Sequence, residues 1–144
     1  MSTKTSRRPI RGEWGVVRVV TAFLASEGYR VRHEVSNMGQ SVDVVATRGR
    51  WITAIEAKRK DWRRALDQCR AHTVVADYVC VALCAEEPSP RLIAELAQSG
   101  FGLLLVSPSS GLCRWHSAPQ RNRSVWEPQR RRLSASMRGV EYVR

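Results

Sequence analysis

Lysine is nearly missing from this chain. Only Lys4, Lys58 and Lys60 occur, so arginine supplies most of the 24 basic residues set against 13 acidic ones, a net charge of +11 over 144 residues. Acidic residues are too few to balance that surface. A polyanionic partner follows, nucleic acid or an acidic membrane surface; a merely solvated arginine-rich surface is the alternative. No apolar run approaches the roughly 20 residues of a membrane span. The start, MSTKTSRRPIRGEW, lacks the apolar segment of a secretory signal, so a cytoplasmic location is expected. None of Cys69, Cys80, Cys84 and Cys113 forms a C-x-x-C pair, which argues against a zinc knuckle or a thioredoxin motif. His33, His72 and His116 are scattered, with no H-x-x-x-H spacing. Internal repeats and low-complexity segments are absent.

What is present is enough apolar sequence, 43% of the chain, for one domain with its own core. Residues 1–10 read as a disordered basic arm, 11–117 as the domain and 118–144 as an Arg-rich tail, or a short helix docking through Trp126 and Leu133. Trp14, Val17, Val20 (or Thr21) and Leu24 repeat at helical spacing, and Gly28 suits the residue after the helix end. Tyr29 to Val35 alternates as a strand with one wet face. Val42 to Thr47 and Trp51 to Lys58 follow as strands joined by Arg48-Gly49-Arg50. Asp61 is placed to cap a helix from Trp62 to about Val75. Asp77 to Leu83 is apolar enough for a strand covered on both faces, with Cys80 and Cys84 as reduced core residues on one face. Ser89-Pro90 opens a helix to Gln98, and Gly102 to Ser107 and about Leu112 to Trp115 complete the strands. The order is α-β-β-β-α-β-α-β, a mixed sheet flanked by helices.

Charge sits inside two of these strands. Strand side chains alternate, so Glu56 and Lys58 share a face. Pairing Val42–Thr47 with Trp51–Glu56 brings Asp43 opposite Glu56. Two half-buried carboxylates repel, and desolvation adds to the cost. A divalent cation relieves both, and hard oxygen ligands suit Mg²⁺ or Mn²⁺. A lysine beside such a site fits phosphate chemistry. The plainer alternative is an edge ion pair of Glu56 with Lys58, and Asp43 capping a turn.

Asp43, followed thirteen residues later by Glu56-Ala57-Lys58 in AIEAKRKDW, resembles the PD-(D/E)XK nuclease superfamily, over about residues 11–107. Ser41-Val42-Asp43 replaces the usual Pro-Asp. The resemblance implies a restriction-endonuclease-like αβββαβ core. It implies Asp43, Glu56 and the Ala57 main-chain carbonyl as metal ligands, with Lys58 assisting catalysis. Gln68 lies on the following helix where many of these nucleases carry a site-facing Gln; a solvent-facing helix residue is the alternative. Glu13 is placed like the catalytic Glu of archaeal Holliday-junction resolvases, as catalytic residue and metal ligand, or serves only the helix dipole. Glu34 is a weaker rival for that role. Arg59, Lys60, Arg63 and Arg64 follow the motif and are positioned to grip phosphates, as are Arg130, Arg131 and Arg132, unless they are only solvated. The expectation is a Mg²⁺-dependent endonuclease acting on DNA, alone, as a homodimer or within a larger nuclease complex. The alternative is a binding or assembly subunit without activity of its own.

Overall fold

Gly49, at φ 61°, takes the left-handed conformation that a tight turn requires and an L side chain resists. It closes the hairpin between β2 (Gln40–Arg48) and β3 (Trp51–Lys58), and so fixes the register of everything the site depends on. The structure, a computed structural model, describes residues 10, 12–37 and 39–143, without the side chains of 37 and 138–143. Its remaining elements are α1 (Gly12–Ser26), β1 (Arg30–Asn37), α2 (Trp62–His72), β4 (Tyr78–Cys84), α3 (Pro90–Ser99), β5 (Gly102–Val106), β6 (Cys113–Ser117) and α4 (Glu127–Val143).

The six strands lie in sequence order in one sheet. Pairs β1–β2, β2–β3 and β5–β6 are antiparallel, and β3–β4 and β4–β5 are parallel. The parallel connections run through α2 and α3. Ala65, Leu66 and Cys69 of α2, Leu92 and Leu96 of α3, and Leu133 and Met137 of α4 share one core with one sheet face. Val16, Val17, Val20 and Leu24 of α1 cover the other face. The fold is therefore a mixed α/β layer structure with three helices on one side and one on the other, among the described residues.

Local chemistry sets most boundaries. Gly28 has φ 92° just past α1. Asp61 Oδ1 accepts from Arg64 N–H at 3.2 Å and Ser89 Oγ from Leu92 N–H at 3.2 Å, each satisfying an orphan donor of its helix start. All four cysteines are free, and Cys80 and Cys84 both pack on the α1 side.

Four expectations need correction. Helix α2 stops at His72 rather than about Val75, because Thr73-Val74-Val75 is β-branched and the Thr73 hydroxyl donates to Arg70 O at 2.8 Å. The buried stripe of α1 uses Val16, and Trp14 is 58% exposed, edge-on to His33. Of the two readings of the C-terminal stretch, residues 118–143 follow the docking helix, through Leu133, and not the tail. Asn122 N–H donates to Asp77 O and Trp126 N–H to Val74 O, and α4 then buries Leu133 and Met137. Trp126 itself is 54% exposed, so it is not the docking residue. The arm expected over 1–10 lies outside the described residues except for Ile10, which packs against the α1-side core. Among the described residues no helix is long and apolar enough to cross a membrane.

Candidate functional site

The β2–β3 ladder runs from Arg48–Trp51 to Val44–Ile55 and then stops. On the other edge of β2, Asp43 stands between the His33–Val44 and Val35–Val42 pairs without a ladder partner, as does Glu34 opposite it. Glu34 is an exposed residue at φ 48°, and the sheet switches sides there. Val44 packs with α1, but Val42 and Val35 pack with the opposite core. Side chains take over the hydrogen bonding beyond this break. Asp43 N–H donates to Glu56 Oε2 at 3.2 Å, and Ala57 N–H donates to Asp43 Oδ2 at 2.9 Å. The observed register sets Arg48 opposite Trp51, one residue off the expected pairing of Val42–Thr47 with Trp51–Glu56, and it brings the two carboxylates together.

Glu56 is fully buried. Its Oε2 is also 2.7 Å from His72 Nε2, on α2. Its Oε1 is buried with no hydrogen-bond partner, as is His72 Nδ1. Burial first, then the Glu56 carboxylate, push Asp43 up from 3.8 to about 6, against the Ala57 N–H bond and the Lys58 ammonium. Lys58, only 6% exposed, ends β3 and reaches Glu13 Oε1 of α1 at 3.5 Å. The site thus draws on β2, β3 and the start of α1, backed by α2.

Two adjoining carboxylates with an orphaned buried oxygen form a donor set that suits a hard cation. The protein supplies no larger cluster: no group of three or more His, Cys, Asp or Glu side chains is arranged to hold a metal among the described residues. Any remaining positions fall to main-chain carbonyl and water, the way Mg²⁺ is often held.

Of the remaining candidates, Gln68 is half-buried, and its Oε1 is buried without a partner. It lies four residues before His72, so it shares that face of α2. Arg59, Lys60, Arg63 and Arg64 are all exposed around the end of β3 and the start of α2, with Arg63 stacked on Trp62 at 4.5 Å. Arg131 and Arg132 are exposed on α4. Arg130 departs from expectation. Its Nε and terminal nitrogen donate to Asp77 at 2.9 to 3.2 Å, and it also reaches the Arg50 carbonyl. Its guanidinium is committed to pinning α4 to the start of β4, which leaves it no free fork for a phosphate. Asp77 is correspondingly an anchor, accepting also from Ile52 N–H at 2.8 Å.

His72 is the residue that sequence reasoning missed. The available signal was its position in the stripe Ala65, Leu66, Cys69, His72, all buried. A histidine on the buried side of a helix needs a polar partner.

No family model matches the sequence, and no curated protein sequence matches it. A solved structure of a protein of unknown function from Silicibacter pomeroyi is similar in fold. Its TM-score is 0.68 at 19% identity, over 95% of this chain and 88% of that one. The likeness carries the fold alone.

Proposed function

We propose that this chain is a metal-dependent nuclease of the PD-(D/E)XK type, with a restriction-endonuclease-like core, that hydrolyses phosphodiester bonds in DNA. One observation carries the reading: Asp43, Glu56 and Lys58 converge where β2 and β3 part, with Glu56 Oε1 buried and unpaired. An edge ion pair of Glu56 with Lys58 would leave neither residue so buried. Asp43, Glu56 and the Ala57 carbonyl would hold Mg²⁺ or Mn²⁺, which supplies Lewis-acid polarisation of the phosphate and a more acidic water.

The chain's own residues divide the remaining work. His72 holds one Glu56 oxygen and leaves the other for a ligand. The Ala57 N–H orients the Asp43 carboxylate. Lys58 places an ammonium where charge develops on the phosphate, and Glu13 fixes that ammonium from the helix side. Arg59, Lys60, Arg63 and Arg64 grip the flanking backbone without reading sequence. The +11 charge supports a nucleic-acid substrate.

A second reading, a binding or assembly subunit that is inactive alone, is favoured by the His72 contact, which already satisfies one Glu56 oxygen from within the protein. Incubation with supercoiled plasmid and with a four-way DNA junction, in Mg²⁺ or Mn²⁺ and in chelator, beside Glu56→Ala, separates the two. The nuclease reading expects metal-dependent cleavage that the variant lacks. Tight binding by both proteins without cleavage supports the second reading.

A further inference from the structure

Helix α1 covers only part of its sheet face. It begins at the charged site, where Glu13 meets Lys58, and runs 15 residues, a length of roughly 22 Å. Beyond its end the same face is open, and a cavity of about 770 Å³ lies there, lined by Tyr29, Trp51, Tyr78, Trp115, Arg48 and Thr53, with Glu27 at the helix end. Thr53 and Tyr78 are neighbours across the β3–β4 ladder, and Arg48 pairs with Trp51 across the hairpin. Four strands, β2, β3, β4 and β6, therefore bring an aromatic ring or an arginine to one concavity, far along β3 from Lys58.

The rings are half-buried, not packed away. Trp51 and Tyr78 meet edge to face at 6.2 Å. The Arg50 and Arg121 guanidinium carbons lie 4.4 and 4.5 Å from the Trp51 ring, and Arg48 lies 4.3 Å from Tyr29. Two guanidinium groups on one ring repel each other, so the arrangement gains from an anion nearby. The single carboxylate at the rim, Glu27, accepts from Trp115 Nε1 at 2.9 Å. An aromatic cavity with Arg48 in its wall, and with Arg50 and Arg121 on the Trp51 ring beside it, suits a flat, anionic ligand. Rings and guanidinium planes both stack nucleobases, and the charges suit the flanking phosphates.

We infer that this pocket binds an unpaired base of a single-stranded nucleic acid, with the Arg50 and Arg121 guanidinium planes held on Trp51 as the stacking platform and Arg48 on the adjoining phosphate. The inference does not rest on the nuclease reading, because the pocket is separate from Asp43, Glu56 and Lys58. A duplex keeps its bases stacked on one another and offers the pocket no face.

The test is fluorescence anisotropy in EDTA, where the metal site plays no part. The probes are a labelled single-stranded deoxythymidine oligonucleotide of about 15 nucleotides and a blunt duplex of the same length. Trp51→Ala is expected to weaken the single strand about 10-fold, Trp51→Phe to retain most of the binding, and neither to change duplex binding. Arg121→Glu, at an exposed position, decides the matter if Trp51→Ala does not fold. It is expected to weaken the single strand more than Arg91→Glu, the same charge change on α3, while the two affect the duplex equally. Wild-type affinity in folded Trp51→Ala, equal losses on single strand and duplex, or a change in oligomeric state with binding intact would overturn the inference.

Discussion

His72 Nε2 and Glu56 Oε2 lie 2.7 Å apart with both side chains essentially out of solvent. The pair joins α2 to the middle of the sheet and determines which Glu56 oxygen is left for a ligand. Removing one member of a buried pair leaves the other without compensation, at a cost of about 3–5 kcal/mol. His72→Ala should therefore lower the urea midpoint in chelator by far more than a surface histidine would. His72→Gln, which restores an N–H donor, should recover part of the loss. Equal midpoints for His72→Ala and wild type would mean that the contact carries no weight.

Asp43 gives the metal-free protein a pH signature. Its carboxyl ionises near 3.8 when unperturbed and at about 6 in the fold. Between those values the folded chain keeps a proton that the unfolded chain has released. This contribution to stability is complete below about pH 4 and is lost as pH rises through about 6. Asp43→Asn, which cannot ionise, should gain stability relative to wild type between about pH 4 and pH 7 in chelator. Paired urea titrations across that range measure the difference. A difference that is flat with pH would remove the shared-burial account of the two carboxylates.

The three consecutive arginines of α4 should separate by function. Arg130 spans α4 and Asp77, with side-chain exposures of 16% and 6% for the pair. Arg130→Ala should cost about 3 kcal/mol in unfolding free energy. Arg131→Ala and Arg132→Ala should leave stability within about 0.5 kcal/mol. If their charges reach phosphate, each lowers the salt slope of DNA binding by about one. Unfolding curves and salt titrations on the three variants read both effects.

Leu133 is 2% exposed beneath α4. Leu133→Ala should destabilise the whole domain by about 2–5 kcal/mol, as a core truncation does. A loss confined to local fraying, seen by hydrogen exchange only in residues 127–143, would instead mean that α4 is an independent appendage.

How much of this was legible varies with the kind of signal. That Asp43 and Glu56 meet could be read from strand alternation across a short hairpin, but the turn is Gly49-Arg50 rather than Arg48-Gly49-Arg50, so the expected pairing was one residue off. Caps at Asp61, Ser89 and Gly28 are local chemistry, and the boundaries they mark were found within a few residues. Helix α4 stayed one of two readings, docking helix or tail, because among the described residues its buried contacts are a sparse set, Leu133 and Met137 with Gln129, under a run of arginines that reads as solvated. The role of Arg130 depends on Asp77, 53 residues away, and no local pattern announces such a partner. His72 sat on a readable buried stripe, but only the fold shows that its partner is Glu56. The side switch at Glu34 and Asp43 is a backbone event within an ordinary-looking alternation, and the fork at the site follows from it.

The most direct test of the nuclease account is cleavage of supercoiled plasmid in Mg²⁺ by wild type and by Lys58→Met, at protein concentrations that saturate binding. Methionine keeps the stem of the lysine and removes the charge. The account predicts metal-dependent cleavage by wild type and a loss of about 100-fold or more in the cleavage rate of the variant, with binding nearly unchanged. Equal cleavage rates, or no cleavage by wild type on plasmid or four-way junction, would contradict it.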